Sequence, residues 1–303
     1  MTLAVLLVAV WTSAAWADPA DTTVRGLVAA PAAQGTCAAS QAFFVRAASN
    51  IAAAPTTYIP SVTTWESAVD SLICGQVAAG TWASKDIEYF LSAPSQALAE
   101  MNLVSSSNTL TPNGTIIFDP NVGANTDHAT TSFFDTGYDP SLGQMTSSSG
   151  YLGICELNNV PGANVGGPAI GELGAGATNG MQVAPTDAGG PFLVTQMQGT
   201  GQSKINGLGD QGGFVVSRTD SAHIQAYFNG LPVRTTPFPS TGGIVGGTTL
   251  YILGAHVSGG PNQASQGTLA FAAAGAGETA AQVLADHTLF SNALATMLIQ
   301  SGC

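Results

Sequence analysis

Two hydrophobic rhythms divide this chain. Apolar residues recur at helical spacing in residues 39–51, with Phe43, Phe44, Ala47 and Ile51 on one face, and more clearly at Val62, Trp65, Val69, Leu72, Ile73 and Val77. Thr63 and Glu66 have the T-x-x-E form of a capping box, which supplies partners for free N-terminal amides, and Gly80 predicts the helix end. A third short helix is predicted from Pro94 or Ser95 to Val104, so residues 35–104 read as a small helical region. The preceding stretch, 18–34, is rich in Ala, Thr and Pro and reads as a linker.

From Thr111 the rhythm changes to short β-rich runs between Gly, Asn and Pro. The runs "GTIIFDP", "TTSFFDTGYDP", "GYLGICELN", "MQVAPT", "PFLVTQMQ", "GFVVSRT", "HIQAYFNG", "LPVRT", "TLYILGA" and "TLAFAAA" are candidate strands at the spacing of a sandwich or jelly roll, assigned to residues 105–275. In the stretch Ile224–Thr235, alternation puts Ile224, Ala226 and Phe228 on one face and Gln225 and Tyr227 on the other. Asn229-Gly230 suits the positive φ values of a two-residue type I′ turn, so this stretch is expected to be a scaffold hairpin. Residues 276–303 return to helix: Thr279 and Gln282 form a T-x-x-Q capping box, and Val283, Leu284, Phe290, Leu294, Met297 and Leu298 form a stripe expected to pack on the sandwich.

Composition supports that architecture. The chain has 303 residues, 45% of them hydrophobic and 37 of them glycine, with only 8% charged, which favours many short strands joined by turns. Net charge is −12, and the six bases (Arg25, Arg46, Lys85, Lys204, Arg218 and Arg234) are scattered, so nucleic acid and anionic lipid are poor partners. The start, "MTLAVLLVAVWTSAAWADP", matches a secretory h-region with an A-x-A site before Asp18, which predicts a signal peptide over 1–17 and a secreted or surface-exposed protein. No Lys or Arg precedes the apolar run, leaving an uncleaved apolar helix or a misassigned start as alternatives. No later apolar stretch approaches the ~18 residues of a membrane span. Cys37, Cys74, Cys155 and Cys303 are widely spaced without C-x-x-C, which argues against zinc or thioredoxin-like chemistry. Of the three pairings possible, Cys37 with Cys74 and Cys155 with Cys303 is preferred because it keeps the first bridge inside one helical region; buried free thiols are the alternative.

The ordered series "GFVVSRTDSAHIQAYFNGLPV", "TLYILGA" and "GTLAFAAAGAGETAAQVLADHTLFSNALATML" resembles the laminin G-like (LamG) branch of the concanavalin A-like lectin/glucanase superfamily. Within that branch it looks most like versions in bacteriophage and prophage tail or virion proteins. "FFDTGYDP" is similar to their first sandwich strand, and "LICGQVAAGTWASKDIEYF" and "LAEMNLVSSS" resemble the helical segment that often precedes it. The resemblance implies a two-sheet concanavalin A-like jelly roll with an N-terminal helical region and a C-terminal helix. It also implies a non-catalytic role in adhesion, receptor contact or particle structure, with a glycan or protein as partner. The leader and the four cysteines depart from the phage pattern and make the virion the alternative location to an exported one.

Among candidate chemistries, "GAGETA", Gly275–Ala280, satisfies G-x-G-x-x-A between a strand and a helix. A dinucleotide fingerprint needs a second strand and an acid about 20 residues on, and the sequence ends at Cys303, so no βαβ unit is expected to close. "GLGDQG", Gly207–Gly212, leads into a strand and is discounted likewise. Asp135 and Asp139 have the i,i+4 spacing of paired carboxylates, but Gly137 and Pro140 end the strand and the E-x-D-x-x-E pattern of related glucanases is absent. A glycoside-active enzyme is therefore the third hypothesis, after an exported binding protein and a particle component. Calcium is the better reading of Asp119, Asp127, Asp135 and Asp139, with Asp135 and Asp139 as the nominated ligands and aspartates bonding turn amides as the competing one. No other cofactor is expected. His128, His223, His256 and His287 lack metal-ligand spacing, and Tyr138, Tyr151, Tyr227 and Tyr251 sit near strand ends, where rings stack on sugars or simply fill a pleat.

Overall fold

The computed structural model describes residues 36–56, 60–158, 167–173, 180–185, 192–199, 202–209, 211–240, 244, 246–257, 260–265, 267–299 and 303. The expected signal peptide and linker, residues 1–34, lie outside them. The helices are α1 (Ala38–Ala53), α2 (Val62–Ala79), α3 (Gln96–Ala99) and α4 (Ala280–Thr296). The strands, in chain order, begin with β1 (Lys85–Phe90), β2 (Thr111–Asn113), β3 (Ile116–Asp119), β4 (Gly123–Thr126), β5 (Phe133–Asp135) and β6 (Gly150–Asn158). They continue with β7 (Ile170–Leu173), β8 (Gly180–Ala184), β9 (Phe192–Gly199), β10 (Ser203–Asn206), β11 (Gly212–Arg218) and β12 (His223–Phe228). The last are β13 (Leu231–Pro237), β14 (Tyr251–Ile252), β15 (Gly254–Val257), β16 (Gly260–Ala264) and β17 (Thr268–Gly275).

These strands form the two layers of a jelly-roll-like sandwich, mainly β, as expected. One sheet runs β13-β12-β11-β6-β17-β4-β3, with β1 on β17; the other runs β10-β9-β8-β7-β14-β5-β2, with β15 on β7 and β16 on β15. Pairing is antiparallel except between β15 and β7. Alternation explains the layers: Phe214, Val216, Ala226, Leu152, Ala272 and Ala274 are buried between the sheets. The opposite face of the first sheet, with Tyr151, Val215 and Phe271, carries the helices. The described residues form one compact unit.

The helical layer follows its apolar spacing. Phe43 and Phe44 of α1 pack on Trp65 of α2, at ring separations of 6.1 and 6.4 Å. α4 lays Phe290 against Phe271 and Phe90, at 4.2 and 5.9 Å, and realises its Thr279–Gln282 capping box. α2 ends at Gly80, whose φ of 76° suits a residue without Cβ. It starts differently from expectation: Ser61 caps it by accepting from the Thr64 amide at 3.2 Å, so Thr63 and Glu66 lie inside the helix.

The expected helical region 35–104 also contains a strand. Residues 85–90 pair with β17, and the third helix shrinks to the single turn Gln96–Ala99. The reason is that β1 is buried on both faces. Ile87 and Tyr89 face the other sheet, while an irregularity after Lys85 puts Lys85, Glu88 and Phe90 together under the helices. The short alternation Asp86-Ile87-Glu88-Tyr89 is there, but its polar side reads as a solvent face and does not reveal that helices cover it.

Both preferred disulfides are present. Cys37–Cys74 ties α1 to α2, and Cys155–Cys303 ties β6 to the C-terminus, with Cα separations of 5.6 and 6.0 Å.

Candidate functional site

The nominated calcium ligands accept loop hydrogen bonds. Asp135 Oδ1 accepts the Gly137 amide at 2.9 Å. Asp139 Oδ1 accepts the Ser141 amide and hydroxyl at 2.9 and 2.7 Å, and its Oδ2 accepts the Gly247 amide at 2.7 Å. Burial nudges the Asp139 carboxyl up, but these donors more than offset it and hold its pKa below the ordinary value. Asp127 takes the Ala129 amide at 3.1 Å in the same manner. Each is an Asx-type turn lock. Among the described residues, no group of three or more His, Cys, Asp or Glu side chains is placed to hold a metal ion.

The second sheet gathers a different set. The ladder puts Gly171, Tyr251 and Asp135 in one row across β7, β14 and β5. The Tyr251 ring stacks on Phe133 at 4.1 Å on one side and on His256 at 4.8 Å on the other. Glu172, beside His256 in the β7–β15 ladder, is fully buried, and one of its oxygens accepts the Thr248 hydroxyl at 2.7 Å. Its other oxygen and His256 Nδ1 are buried without a hydrogen bond. Burial raises the Glu172 pKa to about 7; the Thr248 hydroxyl opposes this and the charge of Asp139 adds to it. Phe133 and Tyr251 are buried and Glu172 fully so, and the half-buried His256 and Thr248 are the parts of the cluster nearest solvent. Tyr251 is one of the rings that the sequence places near strand ends, whereas neither His256 nor β7 is expected from local pattern. Glu172 inside the apolar run "AIGEL" was the available signal.

Beneath the helices of the first sheet lies a sealed charge cluster. Lys85 Nζ donates to Glu278 Oε1 at 2.5 Å, touches Asp286 Oδ2, and lies 3.8 Å from the centre of the Tyr151 ring. Ser84 also donates to Glu278, at 2.8 Å, and the Thr81 hydroxyl donates to Asp286 Oδ1. Glu88, hydrogen-bonded by Gln76 at 3.0 Å, is pushed to a pKa of about 8 by burial, with Lys85 opposing. Burial likewise raises Glu278. For Lys85, burial favours the neutral amine, but Tyr151, Asp286, Glu278 and Glu88 more than offset it and raise its pKa. The segment that imitates a dinucleotide fingerprint supplies Glu278. Its glycines admit neighbouring backbone, because a Cβ on Gly275 would overlap the Ser84 carbonyl and one on Gly277 the Arg218 carbonyl.

No family model matches the chain, and no curated protein matches it. Solved structures do. The chain is similar to domain 4 of an extracellular GH43 arabinanase from Geobacillus stearothermophilus, solved with arabinotriose, at 13% identity over 66% of this chain and 97% of that one, TM-score 0.43. It is similar to a mutant Trypanosoma rangeli sialidase displaying trans-sialidase activity, at 11% identity over 77% of this chain and 38% of that one, TM-score 0.49. A structure of botulinum neurotoxin type C, whose cell entry depends on two ganglioside molecules, matches at 14% identity over 71% of this chain and 53% of that one, TM-score 0.49. The chain thus spans about half or less of the sialidase and toxin chains.

Proposed function

We propose that this is an exported, non-catalytic binding protein that takes a glycan at the Phe133–Tyr251–His256 stack. The observation that carries the reading is the stack itself, with the Glu172 oxygen and His256 nitrogen buried beside it and unpartnered. Sugar rings present C–H faces to aromatic rings and hydroxyls to such polar atoms. Two disulfides support an oxidising compartment. A second reading, glycoside hydrolysis, draws on one observation: Glu172 is pushed up to about 7 while Asp139 is held down, the split an acid–base pair uses. Against it, both Asp139 oxygens are engaged by loop donors. The particle-component alternative rests on the sequence resemblance alone.

The test is a panel of neutral and acidic oligosaccharides titrated into the oxidised protein and into Tyr251→Ala. Binding by the parent that weakens at least tenfold in the folded variant supports the proposal. Release of reducing sugar would replace it with the hydrolase, and a panel with no binder would sink the glycan reading.

A further inference from the structure

The Lys85 cluster takes no part in the proposed ligand site, and its chemistry points elsewhere. One amine, closed off from solvent, meets two carboxyl groups that are themselves buried. The two contacts are not equivalent. Glu278 Oε1 accepts a short hydrogen bond from Nζ, whereas Asp286 Oδ2 touches Nζ yet accepts no hydrogen bond from any donor. The amine therefore meets the Asp286 carboxyl outside hydrogen-bond geometry, while Thr81 holds the other oxygen of that carboxyl as a donor would hold a developing oxyanion. The ring of Tyr151 covers Nζ on one side.

The carboxylates around Nζ hold the resting amine as its ammonium. The reaction requires the proton to pass within this contact from the ammonium to the Asp286 carboxyl, which leaves an amine, a carboxylic acid and Glu278 beside them as the base. That tautomer is the reactive one. A nucleophile, an electrophile and a base are then held in contact by β1, α4 and the turn between β17 and α4.

We infer that Lys85 and Asp286 become joined by an intramolecular amide bond once the chain has folded. The Nζ lone pair attacks Cγ of the protonated Asp286 carboxyl, and the Nζ–Cγ bond forms. Glu278 takes the proton released by nitrogen and passes it to the departing Asp286 hydroxyl, the Cγ–O bond breaks, and water leaves. Glu278 ends as it began, nothing is oxidised or reduced, and no co-reactant is needed. A cavity of about 30 Å³ lined by Tyr151, Asp286 and His287 has room for the water released. The bond would clamp the first strand of the fold to its last helix, independently of both disulfides.

The experiment is a tryptic digest of the full-length protein after reduction and alkylation, read by mass. Expected is no cleavage after Lys85, with the fragment 47–204 linked to the fragment 235–303 and one water lighter than their sum. Separate fragments ending and starting at Lys85 and Asp86 would overturn the inference without any variant. Glu278→Gln, which keeps a hydrogen-bond partner for Nζ, is expected to fold and to restore cleavage after Lys85; a folded variant that still loses water overturns the proton-carrying role. Water loss that survives Asp286→Ala overturns Asp286 as the acyl partner.

Discussion

At the scale of single residues, charge in this protein is used inside as much as outside. Arg218 is fully buried and donates to the carbonyls of Met197 and Phe238 at 2.8 and 2.9 Å. Arg46 holds the carbonyls of Asn102 and Leu103 at 3.0 and 2.7 Å. Lys85 is interior as well, and Arg234 donates to the Lys204 carbonyl at 2.9 Å. Glu88 gives this arrangement a pH signature. Its folded pKa is raised from the ordinary 4.5 to about 8, so the native state holds a proton that the unfolded state releases over that interval. Stability is full below the unfolded value and is lost as pH rises towards the folded one, by about 1.4 kcal/mol for each unit separating them. Glu88→Gln is expected to flatten the fall in urea midpoint between pH 5 and 8; a variant with the parent's slope would show that another group sets it.

At the scale of elements, the hairpin of β12 and β13 is the clearest case of sequence dictating geometry. Asn229 and Gly230 take φ values of 49° and 75°, as the type I′ turn requires, and Asn229 Oδ1 accepts the Gly213 amide at 2.8 Å. A Cβ at Gly230 would also come within 2.9 Å of the His287 ring. Gly230→Ala is therefore expected to cost at least about 1–2 kcal/mol in a denaturant titration while ligand affinity of the folded fraction stays unchanged. A variant of parental stability that had lost binding would make the turn part of the site. Elements without this kind of signal were the ones the sequence concealed. β1 has charged residues on a face covered by helices, and β7 hides Glu172 in an apolar run. Turn chemistry and capping are local; which face another layer will cover is not.

At the scale of the molecule, two covalent ties differ in reach. Cys155–Cys303 spans a sequence separation of 148, and Cys37–Cys74 one of 37. If restriction of the unfolded chain dominates, removing the first by paired Cys→Ser changes is expected to cost about 5 kcal/mol and removing the second about 1 kcal/mol less. Urea midpoints of the two double variants check this, and equal losses would place the effect in the native state instead. The amino-acid sequence alone determined the β-sandwich class, the capped C-terminal helix and the β12–β13 hairpin, because period, turn residues and caps act over a few neighbouring positions, whereas it left the cysteine pairing as a preference among three. It left Asp135 and Asp139 open between metal ligand and turn lock, since an aspartate in a turn suits both and the amides they accept come from loop geometry. Only the tertiary structure brought Lys85 to Asp286, and Glu172 beside His256 and Thr248. These meetings depend on the sheet order and on how α4 and β15 return to strands distant in the chain, which no local pattern encodes.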